Sequence, residues 1–181
     1  GMLKEGILPQ AKVEEFLREA HAIDYSDIAE DPPLRAIVAG CCTRAERFVF
    51  TASTVEHATR CLTRVFGAEE KVGELFSAVV GTRACGLETK HAPASFEAAM
   101  RAAGVPRDAA TGTFDPAAVS RCVLLDDSTK NIARAKAMGW RTVLVGKIER
   151  DTGAPRASPP EANFHVESLL ELPDVMPDLF V

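Results

Sequence analysis

The chain has 181 residues, 46% of them apolar, and a formal net charge of −5, enough to bury one core with a small appendage. The acidic balance argues against nucleic-acid binding through a basic surface. No apolar run approaches the 18 or so residues of a membrane span, and no signal-peptide pattern is present. The five cysteines, Cys41, Cys42, Cys61, Cys85 and Cys122, are odd in number and form no Cys-x-x-Cys pair, so reduced thiols, no structural disulfides and a cytoplasmic location are expected. Gly1 before Met2 reads as a scar of expression cloning.

Val13, Phe16, Leu17 and Ala20 recur at helical spacing within residues 11–21 and predict an amphipathic helix. Asp31-Pro32-Pro33 opens a second short helix carrying Leu34, Ile37 and Val38, with Gly40 as its stop. Strands then alternate with helices. Arg47-Phe-Val-Phe-Thr51 reads as a buried strand, and Ser53-Thr-Val-Glu56 as a capping box for a helix through Val55, Ala58, Leu62 and Val65 to Gly67. Ser77-Ala-Val-Val80 is a weaker strand. Pro93 begins a helix with Phe96, Ala99, Met100 and Ala103 on one face. Residues 105–120 read as a long loop. Arg121–Leu125 is the third strand, followed by a helix from about Thr129 to Met138 that Gly139 closes. Arg141–Val145 is the fourth strand, and residues 147–162 form a loop holding Pro155, Pro159 and Pro160. Phe164-His-Val166 is a candidate fifth strand ahead of a short terminal helix with Leu169, Leu170 and Leu172. Helical stretches of 10–15 residues between strands imply βαβ units and a largely parallel sheet.

Three polar features fall at strand or loop ends. Thr51 ends its strand at a helix N-terminus, where free N–H groups favour an anion. Lys90 lies in the loop before the Pro93 helix. Asp126 and Asp127 end the third strand, and adjacent carboxylates suit a hard cation. Because parallel strands end on one edge, these groups can converge there in the crevice where open α/β sheets bind ligands. Hydroxyl, backbone donors, a cation and an acidic pair together describe a phosphoryl site.

In that order, Phe48-Val-Phe-Thr51-Ala52-Ser53, Lys90-His-Ala-Pro93-Ala-Ser-Phe96 and Leu124-Leu-Asp126-Asp127-Ser128-Thr-Lys-Asn131-Ile132 resemble the motifs of haloacid dehalogenase-like hydrolases. Within them the likeness is to the pyrimidine 5′-nucleotidase-like group. Ala135-Lys-Ala-Met-Gly139 and Thr142-Val-Leu-Val-Gly146 add to it, and the likeness runs from about Ile23-Asp24-Tyr25 to the terminus. The resemblance implies an open, mainly parallel Rossmann-like sheet with flanking helices over residues 41–181, and the remnant of a helical cap over residues 2–40. It also implies a small phosphorylated metabolite as ligand, Mg²⁺ as cofactor and an aspartyl-phosphate intermediate. Thr51, with Ala52 and Ser53, would hold the phosphoryl group and Lys90 would neutralise it. Asp127 would bind the metal directly, and Asp126 directly or through water.

The chain departs from that pattern in one decisive respect. The family's nucleophile and acid/base lie in an Asp-x-Asp-x-Thr/Val motif ending the first, central strand, and no such motif occurs here. Asp24-Tyr-Ser-Asp27 has the wrong spacing. Ala52 stands where the subgroup often has Asn, and His91, read as an exposed loop residue, where Pro is usual. An N-terminally shortened, inactive phosphohydrolase chain is therefore expected, the alternative being a non-catalytic remnant that binds a ligand or partner. A signalling receiver is disfavoured, because there the acidic pair precedes the lysine. Without a central strand, two neighbouring edges would be left unpaired. They would close by direct pairing, by recruiting the N-terminal segment or by association with another chain, and self-association into a homo-oligomer is the expectation.

Overall fold

The structure, a computed structural model, describes residues 5–41, 45–149 and 152–180. Gly1, Met2 and Cys42, named above, lie outside the described residues.

A 3₁₀ turn, Gln10–Lys12, leads into helix α1 (Val13–Ala20). Helix α2 (Pro32–Gly40) starts where Asp31 accepts the Leu34 N–H, the capping that Asp-Pro-Pro foretold. Strand β1 (Phe48–Phe50) runs into helix α3 (Val55–Phe66), which ends at Gly67 with φ 88°, a left-handed cap that glycine takes without a Cβ penalty. The cap at the other end lies one residue later than the sequence suggested. Thr54 accepts the His57 N–H, and Ser53 is left for other work.

Helix α4 (Glu69–Leu75), for which the sequence analysis has no counterpart, precedes strand β2 (Ala78–Val80). Helix α5 (Pro93–Ala102) follows. The stretch read as a long loop holds one turn of helix, α6 (Pro116–Val119), capped by Asp115. Strand β3 (Val123–Asp126), helix α7 (Thr129–Ala137), strand β4 (Arg141–Val145) and strand β5 (Phe164–Val166) complete the α/β pattern. The terminal stretch contains helix α8 (Leu172–Val175) between two 3₁₀ turns.

Every strand pairing is parallel, with Phe48 opposite Ala78, Val123 opposite Arg141 and Val143 opposite Phe164. The fold class is thus the expected one, parallel sheet with flanking helices. The sheet is in two pieces, however: β1 with β2, and β3 with β4 and β5. Neither direct pairing of β1 with β3 nor an N-terminal strand closes the gap among the described residues. A cleft of about 400 Å³ lies there, lined by Phe48 and Phe50 of β1, by Val123, Leu124 and Leu125 of β3, and by Ala99, Ala103 and Trp140.

Helix packing links the two pieces. Phe96 of α5 is fully buried and meets Phe50 edge-on at 5.2 Å and Trp140 edge-on at 5.2 Å. One side chain therefore touches the β1 strand and the residue that leads into β4. Ile132 of α7 and Leu144 of β4 are fully buried in the same cluster. Burying side chains of this size contributes about 1.5–3 kcal/mol each. Helix α2 serves two further clusters, Ile37 against Val143, Val166 and Met176, and Leu34 and Val38 against Phe66 and Val72.

Candidate functional site

Parallel pairing fixes where the strands deliver their ends. Thr51 directly follows β1 and Asp126 closes β3. A cleft of about 630 Å³ opens between these ends, lined by Thr51, Ala52, Ser53, Lys90, Asp126 and Asp127, the six residues named from sequence. Asn131, His21, Phe16 and Leu17 line it as well.

The Thr51–Thr54 turn is locked from several sides. Thr51 N–H donates to Val80 O at 3.0 Å, and Ser53 carbonyl accepts from Thr82 N–H at 2.8 Å. Ser53 N–H donates to Thr51 Oγ1 at 3.1 Å, which leaves the Thr51 hydroxyl proton to be given elsewhere. Gly81 sits so close that a Cβ would come within 3.0 Å of the Ser53 carbonyl oxygen. A side chain there would push the turn out of place. Ala52 is exposed and has no polar side chain, so its contribution to an anion is backbone only.

Lys90 reaches Asp126 Oδ2 at 2.5 Å and lies 4.8 Å from the Phe50 ring centroid. Its loop is anchored from beneath by the buried Ser95 hydroxyl, which donates to Thr89 O at 2.9 Å, and from the side by Arg134 Nε on His91 O at 2.9 Å. His91 is exposed, as expected. Asp126 is buried, and its Oδ1 accepts from Ser128 N–H at 2.8 Å and Asn131 Nδ2 at 2.9 Å. Asp127 is exposed, and its carbonyl accepts from Arg156 Nη1 at 2.7 Å.

No group of three or more His, Cys, Asp or Glu side chains suited to a metal exists among the described residues. Two adjacent carboxylates at a strand end still fit a hard cation that keeps most of its waters and takes remaining ligands from a phosphate. Asp127 is the exposed member. Asp126 is held by Lys90, Ser128 and Asn131, which suits a role through water. Neither Asp24 nor Asp27 lines the cleft; the Asp24 carboxylate accepts from Ser26 N–H and Oγ, and those bonds hold its pKa below the usual carboxylate range.

Sequence reasoning missed a histidine on the cleft wall and a second one packed behind it. His21, just past α1, places Nδ1 at 2.7 Å from Leu17 O and Nε2 at 2.7 Å from Ser53 Oγ. Its ring lies 4.5 Å from that of His57 in α3, whose Nδ1 is 2.7 Å from the Tyr25 hydroxyl. Burial first, then His21 and Arg60, push the His57 pKa down. Arg156 was also missed. It crosses from the 147–162 loop to the Asp127 carbonyl and to Glu149. Neither residue carries a local signal for the cleft, because Ser53 lies 32 positions from His21 and Asp127 29 from Arg156.

No family model matches the sequence. Solved structures do match. CbbY from Rhodobacter sphaeroides, in complex with phosphate, aligns with a TM-score of 0.59 and 22% identity over 90% of this chain and 63% of that one. L-2-haloacid dehalogenase from Xanthobacter autotrophicus, with chloropropionic acid covalently bound, gives 0.60 and 19% identity over 97% and 71%. The UTR4 protein of Saccharomyces cerevisiae gives 0.53 and 12% identity over 94% and 70%. The fold is therefore the haloacid dehalogenase-like fold, and the chain spans 63% of the length of CbbY. No helix among the described residues is long and apolar enough to cross a membrane.

Proposed function

We propose that this chain carries the phosphate- and metal-binding half of a Mg²⁺-dependent phosphomonoesterase of the haloacid dehalogenase-like kind, and that it turns over little or nothing by itself. The observation that carries the reading is the convergence of Thr51, Lys90, Asp126 and Asp127 on one cleft at the strand ends. Thr51 and the N–H groups of its turn would take the phosphoryl oxygens, Lys90 would neutralise them, and Asp127 with Asp126 would hold the cation. Mg²⁺ would supply charge for a developing phosphorane.

The sequence contains no Asp-x-Asp-x-Thr/Val motif, so the covalent step has no carboxylate to begin it. Barrier lowering in enzymes spans roughly 8–23 kcal/mol, and positioning with a metal does not replace that step. Residues 2–40 would belong to a cap and 41–181 to the core, with a nucleoside 5′-monophosphate as the substrate that the pyrimidine 5′-nucleotidase likeness suggests. The alternative, a ligand- or partner-binding protein without turnover, draws support from the lack of an Asp-x-Asp-x-Thr/Val motif in this sequence.

The test is Mg²⁺-dependent phosphate release from a panel of nucleoside 5′-monophosphates, with phosphate binding measured by calorimetry in parallel. Binding without turnover, weakened in Asp127→Asn when Mg²⁺ is present, is the expected result. Appreciable turnover abolished by Asp127→Asn would overturn the prediction of inactivity. Absence of any phosphate binding would overturn the site.

A further inference from the structure

The cleft wall contains a hydrogen-bond chain that limits what Ser53 can offer a ligand. Leu17 O can only accept, so His21 Nδ1, 2.7 Å away, carries a proton. In the neutral ring Nε2 is then a lone pair, and the Ser53 hydroxyl 2.7 Å from it must donate. That spends the single hydroxyl proton of Ser53. The oxygen then presents lone pairs alone to the cleft, which repel a phosphoryl oxygen. In the imidazolium the direction reverses: Nε2–H donates to Ser53 Oγ, and the hydroxyl proton turns toward the cleft.

We infer that His21 is a positioning residue for the anion, acting through Ser53: a proton taken up at His21 converts the Ser53 hydroxyl into a donor toward a bound phosphoryl group. This rests on the reading of the cleft as a phosphoryl site and adds to it a coupling between anion binding and one proton. His57 stacks 4.5 Å from His21, and burial, His21 and Arg60 all hold it toward the neutral form. Tyr25 presents its hydroxyl to His57 and to the His21 carbonyl, and Arg60 Nη2 binds that carbonyl at 2.9 Å. Lys90, Asp126 and Asp127 line the same cleft. The backbone locks on Ser53 already described keep its hydroxyl at the place where the Thr51 turn would meet an anion.

Sulfate is the probe, because unlike phosphate it does not change charge between pH 5.5 and 8.5. Calorimetric titration of the whole chain in buffers of different ionisation heat gives both affinity and protons taken up. A freed charge-assisted donor strengthens binding by roughly tenfold or more. The wild type is therefore expected to bind sulfate about tenfold more tightly at pH 5.5 than at 8.5, with proton uptake on binding. His21→Gln and Ser53→Ala, checked for folding by circular dichroism, should each remove the pH dependence and the uptake, whereas His57→Gln should keep both. Lys90→Met should weaken binding at every pH. Survival of the pH dependence in His21→Gln or Ser53→Ala would overturn the coupling and leave the phosphoryl site standing. Failure of the wild type to bind sulfate or phosphate at any pH would overturn both.

Discussion

Replacing Lys90 with methionine removes the cation from a pair that solvent hardly reaches, the side chains being 14% and 4% exposed for Lys90 and Asp126. Breaking a buried pair from one side typically costs about 3–5 kcal/mol, because the charge left behind has lost both water and partner. Asp126 keeps two donors, the Ser128 N–H and Asn131 Nδ2, so the cost should fall near about 3 kcal/mol. For a chain of this size that lowers Tm by roughly 6–12 °C. Asp126→Asn should cost less, on the order of 1 kcal/mol, because the amide keeps part of the bonding and a long lysine stem can carry its head to water. The double variant buries no unpaired charge and should be more stable than the two single costs added together, with a coupling of about 1.5–3 kcal/mol. Urea unfolding followed through Trp140, the chain's one tryptophan, and through far-UV circular dichroism gives all four corners of the cycle. A Lys90→Met variant within about 0.5 kcal/mol of wild type, or single costs that add without coupling, would refute the reasoning. The pair would then be solvated, and Asp126 would not be held in the buried geometry from which its role in the cleft is argued.

Two further outcomes are expected. His57 has its pKa depressed by burial, His21 and Arg60, so the unfolded chain binds a proton there more readily than the folded one. Its contribution to stability is full above its ordinary value of about 6.5 and is lost as pH falls below it. Tm should therefore fall from pH 7 toward pH 5, and less steeply in His57→Gln; an identical slope in both proteins would rule out His57 as the cause. The edges of β1 and β3 that are unpaired among the described residues face an apolar cleft and invite pairing with another chain. Sedimentation at micromolar concentration should show a homo-oligomer that Leu125→Glu, on the part-exposed end of β3, shifts toward monomer; a strictly monomeric wild type would refute this.

Local chemistry wrote much of the fold into the sequence. Alternating strand and helix periods, Asp31 before two prolines, and Gly67 and Gly139 after helices each act within a few residues, so their outcome is readable without the rest of the chain. The strand-end placement of Thr51 and Asp126 followed too, since parallel strands share an edge. Where two neighbours competed for one local role, the reading slipped. Ser53 and Thr54 can both cap α3, and only the contact between Ser53 and His21, 32 positions away, left the cap to Thr54. Helix α4 is a short segment whose few apolar residues, Val72 and Leu75, become a face only against Phe66. That the edges of β1 and β3 stay apart among the described residues was not readable from local pattern. Phe96 holding Phe50 and Trp140 across the gap is a product of packing, as is the Arg156 tether to Asp127. Most of the strands and longer helices, their order and the residues at the strand ends are legible in the sequence, because those depend on interactions within a turn or a strand. Which histidine meets Ser53, and what packs between the two sheet edges, depend on distances between residues that the chain brings together only when it folds.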